Sequence, residues 1–215
     1  MKFLIQTYNG KITHDFSFTL IQSIEYQNWL NNDNEYMSYI LTDIEYMNYL
    51  LTNNPIDLIP IGSVEFVHEY FKRYYGIENI KPINVPIELF DFKYSKREIF
   101  NGTEKDVKKL SFVKSNNCLK WYTEFTDAPP NGNFQISEII EDIKSEWRSF
   151  IYNGKLVGLN NYSGRFDLFP NVELINEMID KFLSNKNNPK NFTLDVGISE
   201  KLGTFVIEVH NFYSC

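Results

Sequence analysis

Three stretches of this chain carry residue types at spacings that can do chemistry. In the last of them, NFTLDVGISEKLGTFVIEVHNF, apolar and polar residues alternate as in strands. Alternation puts Glu208 and His210 on one face with Thr204 and Val206. A turn centred near residues 200–203 pairs the two strands antiparallel and brings Asp195 roughly opposite Glu208. Two carboxylates and a third ligand on neighbouring strands suit Mg²⁺, which takes few protein oxygens and leaves room for phosphates. The plainer alternative is an acidic face of a surface hairpin turned to water.

The second stretch is SEWRSFIYNGKLVGLNNYSGR. Asn153–Gly154 marks a two-residue hairpin turn, which sets Glu146, Arg148 and Phe150 on one face and Leu159 opposite Arg148. Arg148 and Arg165 are two of only four arginines, against 17 lysines. A guanidinium offers a planar fork suited to phosphate or carboxylate oxygens, which lysine does not reproduce. An ordinary Glu–Arg pair on a sheet accounts for the pattern equally well. The third stretch is LSFVKSNNCLKWYTEF, where Lys114 closes an apolar strand and Lys120 follows six residues later. Either lysine can reach a nucleotide phosphate as a point charge, or simply be solvated.

The elements that must position these residues fall into two halves. Lys2–Gln6, Ser38–Thr42 and Asp57–Ile61 read as short apolar strands. Ser17–Leu30, Asp43–Leu51 and Ser63–Tyr74 alternate with them as helices, with Asp43 and Ser63 as N-caps. That order predicts a small parallel α/β unit. The prolines of IKPINVPIE interrupt it, and a boundary near residue 90 divides the chain into 1–90 and 91–215. The second half predicts antiparallel hairpins, an amphipathic helix Asn171–Leu183, and final strands Asn191–Ile198 and Gly203–Phe212. The fold class is therefore mixed α/β and α+β.

Composition bounds the partners. With 215 residues, 43% hydrophobic and 16% aromatic, the chain is long and apolar enough for a real core and is not a disordered chain. A net charge of −7 argues against broad binding of a nucleic-acid backbone. Its apolar runs fall far short of a membrane span. Two cysteines, Cys118 and Cys215, are too few for a disulfide framework, which predicts a reducing, cytoplasmic setting. His14 and His68 lack metal-ligand spacing, and Cys118 has no histidine near it in sequence to activate it.

Taken in order, the motifs FVK, SEWRSF, NYSG, LDVG and IEVH, preceded by PIGSVEFV and IKPINVP, resemble the ATP-grasp superfamily, specifically its R-two-K clade of small bacterial and phage-type proteins. The resemblance covers nearly the whole chain. It implies an N-terminal pre-ATP-grasp-like α/β domain followed by a two-lobed ATP-grasp domain with antiparallel sheets. By that resemblance Lys114 contacts ATP phosphates, as Lys120 also can, while Glu138, Ile139 and Ile140 form the hinge that meets adenine. Glu146 and Arg148 fill the acidic-x-Arg motif, and Arg165 is a second arginine near the reacting phosphoryl group. Asp195 and Glu208 are the acidic pair holding Mg²⁺, and His210 stands where the superfamily usually has asparagine, which implies Mn²⁺ or an outer-shell role. The family pattern also continues past the position of Cys215 with a glycine-rich tail, so part of the substrate wall is expected to be missing or supplied otherwise.

The implied activity is ATP-dependent carboxylate–amine ligation through an acyl phosphate, with small-molecule or peptide substrates. The alternative is an ATP-grasp module that binds nucleotide without ligating, or ligates only weakly, and serves as a phage-related interaction protein.

Overall fold

The computed structural model describes residues 2–33, 36–47, 58–78, 80–117 and 121–212. Lys120, Cys118 and Cys215 lie outside the described residues, as do the end of the Asp43–Leu51 helix and Asp57. The chain divides into two compact units, Met1–Ile80 and Lys81–Cys215.

In the first unit, β1 (Lys2–Gln6) runs parallel between β2 (Ser38–Thr42) and β3 (Ile59–Ile61). Helix Asp15–Leu30 buries Ile21 and Ile24 against Phe3 and Ile5. Ser63 caps helix Val64–Tyr70 as its spacing predicts, its hydroxyl accepting from the Phe66 N–H. Asp43 does not cap through its side chain. Its carboxylate instead accepts from Thr7 Oγ1 and the Gly10 N–H, and a single 3₁₀ turn, Ile44–Tyr46, follows. Competition from the loop after β1 thus took the expected cap away.

The second unit has two antiparallel sheets. One has the order β4 (Ile99–Thr103), β7 (Asn133–Ser137), β5 (Ser111–Ser115), β6 (Thr123–Thr126). The other has the order β11 (Gly203–Asn211), β10 (Phe192–Ser199), β8 (Ile143–Tyr152), β9 (Lys155–Gly164). Helix Val172–Leu183, capped by the Asn171 side chain, lays its apolar stripe of Ile175, Met178, Ile179 and Phe182 on one face of this second sheet. Trp147, Ile151, Phe192, Leu194, Val196, Val206 and Val209 form the other half of that core. Filling this face leaves the opposite face of the sheet for Glu146, Arg148, Asp195, Glu208 and His210.

Extra residues break the simple alternation of these strands. Asn153 and Gly154 have φ of 49° and 74°, which the two-residue turn between β8 and β9 requires. Two bulges on β9 then intervene: Phe150 pairs with Gly158 while Ile151 pairs with Leu156, and Glu146 pairs with Ser163 while Trp147 pairs with Asn161. Val157 and Tyr162 are the extra residues, and the first of them moves Arg148 opposite Asn160 and not the expected Leu159. A third bulge lies on β11, where Val196 pairs with Val206 but Asp195 with Glu208. Ile207 is the extra residue, so Val206 turns into the core while Glu208 and His210 take the opposite face. The expectation that Thr204 and Val206 share a face with Glu208 and His210 is corrected by that single insertion. Among the described residues no helix is long and apolar enough to cross a membrane.

Candidate active site

Register places the charged groups together. Arg148 on β8 stands beside Asp195 on β10, which stands beside Glu208 on β11, so three neighbouring strands offer one row of charges. The guanidinium grips the Asp195 carboxylate with both prongs, Nε to Oδ1 at 2.8 Å and Nη2 to Oδ2 at 2.7 Å. Asp195 is almost fully buried, its side chain only 2% exposed. Such a pair is tolerated because paired charge-assisted hydrogen bonds offset the desolvation of the carboxylate.

His210 closes the row. Its Nε2 lies 2.8 Å from Glu208 Oε1 and 3.7 Å from Asp195 Oδ2. One ligand atom from each of Asp195, Glu208 and His210 falls within 4.8 Å of the others. Two carboxylate oxygens and one imidazole nitrogen at that spacing fit a divalent cation that keeps open positions for other oxygens.

Lys114 reaches the row from the other sheet, where β5 presents it beside Phe112, and it pairs with Glu208. Burial pulls its ammonium down to about 8, against the opposing attraction of Asp195, with repulsion from Arg97 adding to the drop. Tyr162, the bulge residue of β9, donates from its hydroxyl to Glu146 Oε2 at 2.7 Å, and the Arg148 guanidinium sits 5.4 Å from its ring centroid. Burial first, then the Asp195 charge and the bond to Glu146, push the Tyr162 phenol well above its ordinary value.

Between the two sheets, next to this row, lies an apolar pocket of about 200 Å³. Phe112 and Phe125 line it from the first sheet, Ile143, Phe205 and Ile207 from the second, and Ile139 with Ile140 close its end. Gly197 makes room for the Phe205 ring, since a Cβ there would come within 2.5 Å of it. The segment after β7 is pinned where it leaves the sheet. Glu138 Oε2 accepts from the Glu98 N–H at 3.1 Å and Oε1 pairs with Lys109 at 3.0 Å, contacts that hold the carboxyl below its ordinary value. A wider cleft of about 730 Å³ opens on the same segment, with Lys96, Lys109, Lys144 and Lys201 among its lining.

Arg97 lines both the pocket and the cleft. It is 8% exposed, its Nη1 donates to the carbonyls of Ser95 and Val206, and it lies 5.5 Å from the Phe205 ring centroid. Burial lowers its guanidinium to about 10. Neither Arg97 nor Tyr162 is prominent in the sequence. The rarity of arginine was the available signal for Arg97, and only the bulge reveals Tyr162.

The structure therefore brings together Lys114, Glu146, Arg148, Asp195, Glu208 and His210, with Glu138, Ile139 and Ile140 at the adjoining pocket. Arg165 is placed differently. It sits just past β9, where it forms an exposed two-pronged pair with Asp167. Lys120 lies outside the described residues.

A lysine, an arginine and a carboxylate–imidazole cluster beside an apolar slot between two antiparallel sheets describe a clamp suited to a nucleotide. The comparisons agree with that geometry. A family model described as ATP-grasp domain, R-two-K clade family 2, matches residues 94–215. The D-alanine–D-alanine ligase of Bacillus anthracis, solved in complex with ATP, is similar with a TM-score of 0.51 and 11% identity, over 99% of this chain and 86% of that one. The RimK domain ATP-grasp protein of Sphaerobacter thermophilus is similar with a TM-score of 0.52 and 7% identity, over 98% of this chain and 91% of that one. At those identities the likeness is one of fold. No curated protein matches. Because the family match spans more than half of the sequence, this chain belongs to the ATP-grasp superfamily, in family 2 of the R-two-K clade.

Proposed function

We propose that the protein is an ATP-dependent carboxylate–amine ligase. The observation that carries this reading is the convergence of Lys114, Arg148, Asp195, Glu208 and His210, whose strand neighbours Phe112, Glu146 and Ile207 line the apolar pocket. In it, the base of ATP enters between Phe112 and Phe205, with Ile139 and Ile140 as its far wall. Arg97 and Lys114 meet the phosphates as they leave the pocket. A substrate carboxylate attacks the γ-phosphorus, the bond to the β-phosphate oxygen breaks, and acyl phosphate and ADP result. An amine then attacks the acyl carbon, phosphate leaves, and the amine proton passes to solvent or phosphate, completing an amide.

The work of the chain is positioning and charge neutralisation. Arg148, held in orientation by Asp195 and flanked by Tyr162, presents the guanidinium N–H groups not engaged by Asp195 toward oxygens that gain charge during transfer. A divalent cation held by Asp195, Glu208 and His210 would supply further charge neutralisation on the phosphates. No protein nucleophile is needed.

Two measurements test this. Production of ADP is followed with panels of amino acids, peptides and amines, and Asp195→Asn is compared with the parent chain for metal-dependent ATP binding. Turnover should require one carboxylate and one amine together, and Asp195→Asn should weaken Mg-ATP binding by at least about tenfold. ATP binding without any productive pair would leave a nucleotide-binding interaction module instead, and unchanged affinity in Asp195→Asn would remove that carboxylate from the site.

A further inference from the structure

We infer that His210 makes the cation site of this chain selective for a first-row transition ion, represented by Mn²⁺, over Mg²⁺. The inference rests on the proposed assignment of Asp195, Glu208 and His210 as metal ligands. Strand register pairs Thr193 with His210 and Asp195 with Glu208, so the imidazole and both carboxylates share one face of β10 and β11. The His210 side chain is 17% exposed and its Nε2 lies 2.8 Å from Glu208 Oε1. Neighbouring donors around an octahedral ion with bonds of about 2.1 Å stand roughly 3 Å apart. The spacing of Nε2 and Oε1 is therefore already that of two donors on one coordination sphere. An ion that engages both Asp195 and Glu208 meets the imidazole as a ligand.

That donor set discriminates. Mg²⁺ gives up water reluctantly and favours hard oxygen donors. Imidazole nitrogen suits first-row transition ions, and Mn²⁺ accepts it alongside carboxylates while keeping positions free for phosphate oxygens. Replacing the nitrogen by an amide oxygen should remove the preference without changing the charge of the site.

The test uses the full chain labelled with ¹⁵N-histidine, Mn²⁺ and ADP, read by pulsed electron paramagnetic resonance. The label separates the imidazole nitrogen from those of adenine. Expected are a ¹⁵N coupling to protein-bound Mn²⁺, its loss in His210→Asn, and a fall of at least about tenfold in the ratio of Mn²⁺ to Mg²⁺ affinity in that variant. Protein-bound Mn²⁺–ADP without the ¹⁵N coupling would overturn the inference and leave the nucleotide site standing. Absence of any protein-bound Mn²⁺–ADP would overturn the site assignment itself. Should His210→Asn fail to fold, the parent chain still decides. A Mn²⁺ to Mg²⁺ affinity ratio no greater than that of free ADP refutes the selectivity.

Discussion

Removing one partner from the Arg148–Asp195 pair probes the site at its most buried charge. Both hydrogen bonds, at 2.8 and 2.7 Å, are lost in Arg148→Met, and a carboxylate only 2% exposed keeps no bidentate partner. Breaking a buried ion pair from one side costs about 3–5 kcal/mol. The Arg148 side chain is 23% exposed, so water reaches that end of the pair and the lower figure, about 3 kcal/mol, is expected. Adding Asp195→Leu removes the stranded charge, so the double variant should be more stable than Arg148→Met alone, with a coupling of about 2 kcal/mol or more.

The measurement is urea unfolding followed by Trp147 fluorescence, with Trp29 and Trp121 replaced by phenylalanine. Trp147 is 6% exposed in the same sheet and reports that unit's transition. Losses that add to within about 0.5 kcal/mol would refute the reasoning, because they would show no energetic linkage between the two groups. Arg148→Lys separates structure from chemistry. It keeps the charge and loses the fork, so it should cost about 1–2 kcal/mol of stability yet lower turnover by a larger factor. Normal turnover would remove Arg148 from the mechanism.

Two further outcomes follow from the geometry. Gly197→Ala drives a Cβ to within 2.5 Å of the Phe205 ring, so thermal unfolding should report a loss of about 1–3 kcal/mol together with weaker ATP binding. An unchanged melting temperature and affinity would show that the ring does not wall the pocket. Glu138, held below its ordinary value of 4.5 by the Glu98 N–H and Lys109, contributes stability that is full above that value and is lost as pH falls through its lower folded value. As pH falls through and below 4.5 the parent chain should therefore lose more stability than Glu138→Gln, and parallel pH profiles would contradict the pinning of that segment.

Much of the second sheet was legible before any coordinates. Asn153–Gly154 dictates a tight turn because both positions need positive φ, and the turn between β10 and β11 brings Asp195 near Glu208, with the Ile207 bulge setting the two opposite each other. The apolar stripe of Val172–Leu183 and its Asn171 cap are local properties of a few successive residues. The cap at Asp43 was less secure, because a carboxylate that can cap can equally bond Thr7 and Gly10, and only the fold brings those within reach.

Sequence alone thus pointed to the family through its ordered motifs, and to most element types and the approach of Asp195 to Glu208 through short-range alternation and turn chemistry, whereas the pairing of β8 with β10 that sets Arg148 beside Asp195 is long-range. Tertiary structure decided which face each strand residue takes. One extra residue at Val157, Tyr162 or Ile207 reverses the alternation beyond it, and a bulge leaves little trace in composition. It also decided the roles open to Arg97 and Lys114. Arg97 owes its place to carbonyls as far along the chain as Val206, and Lys114 meets Glu208 from the opposite sheet. Those contacts arise only when two sheets close on one pocket, and no local pattern encodes that closure.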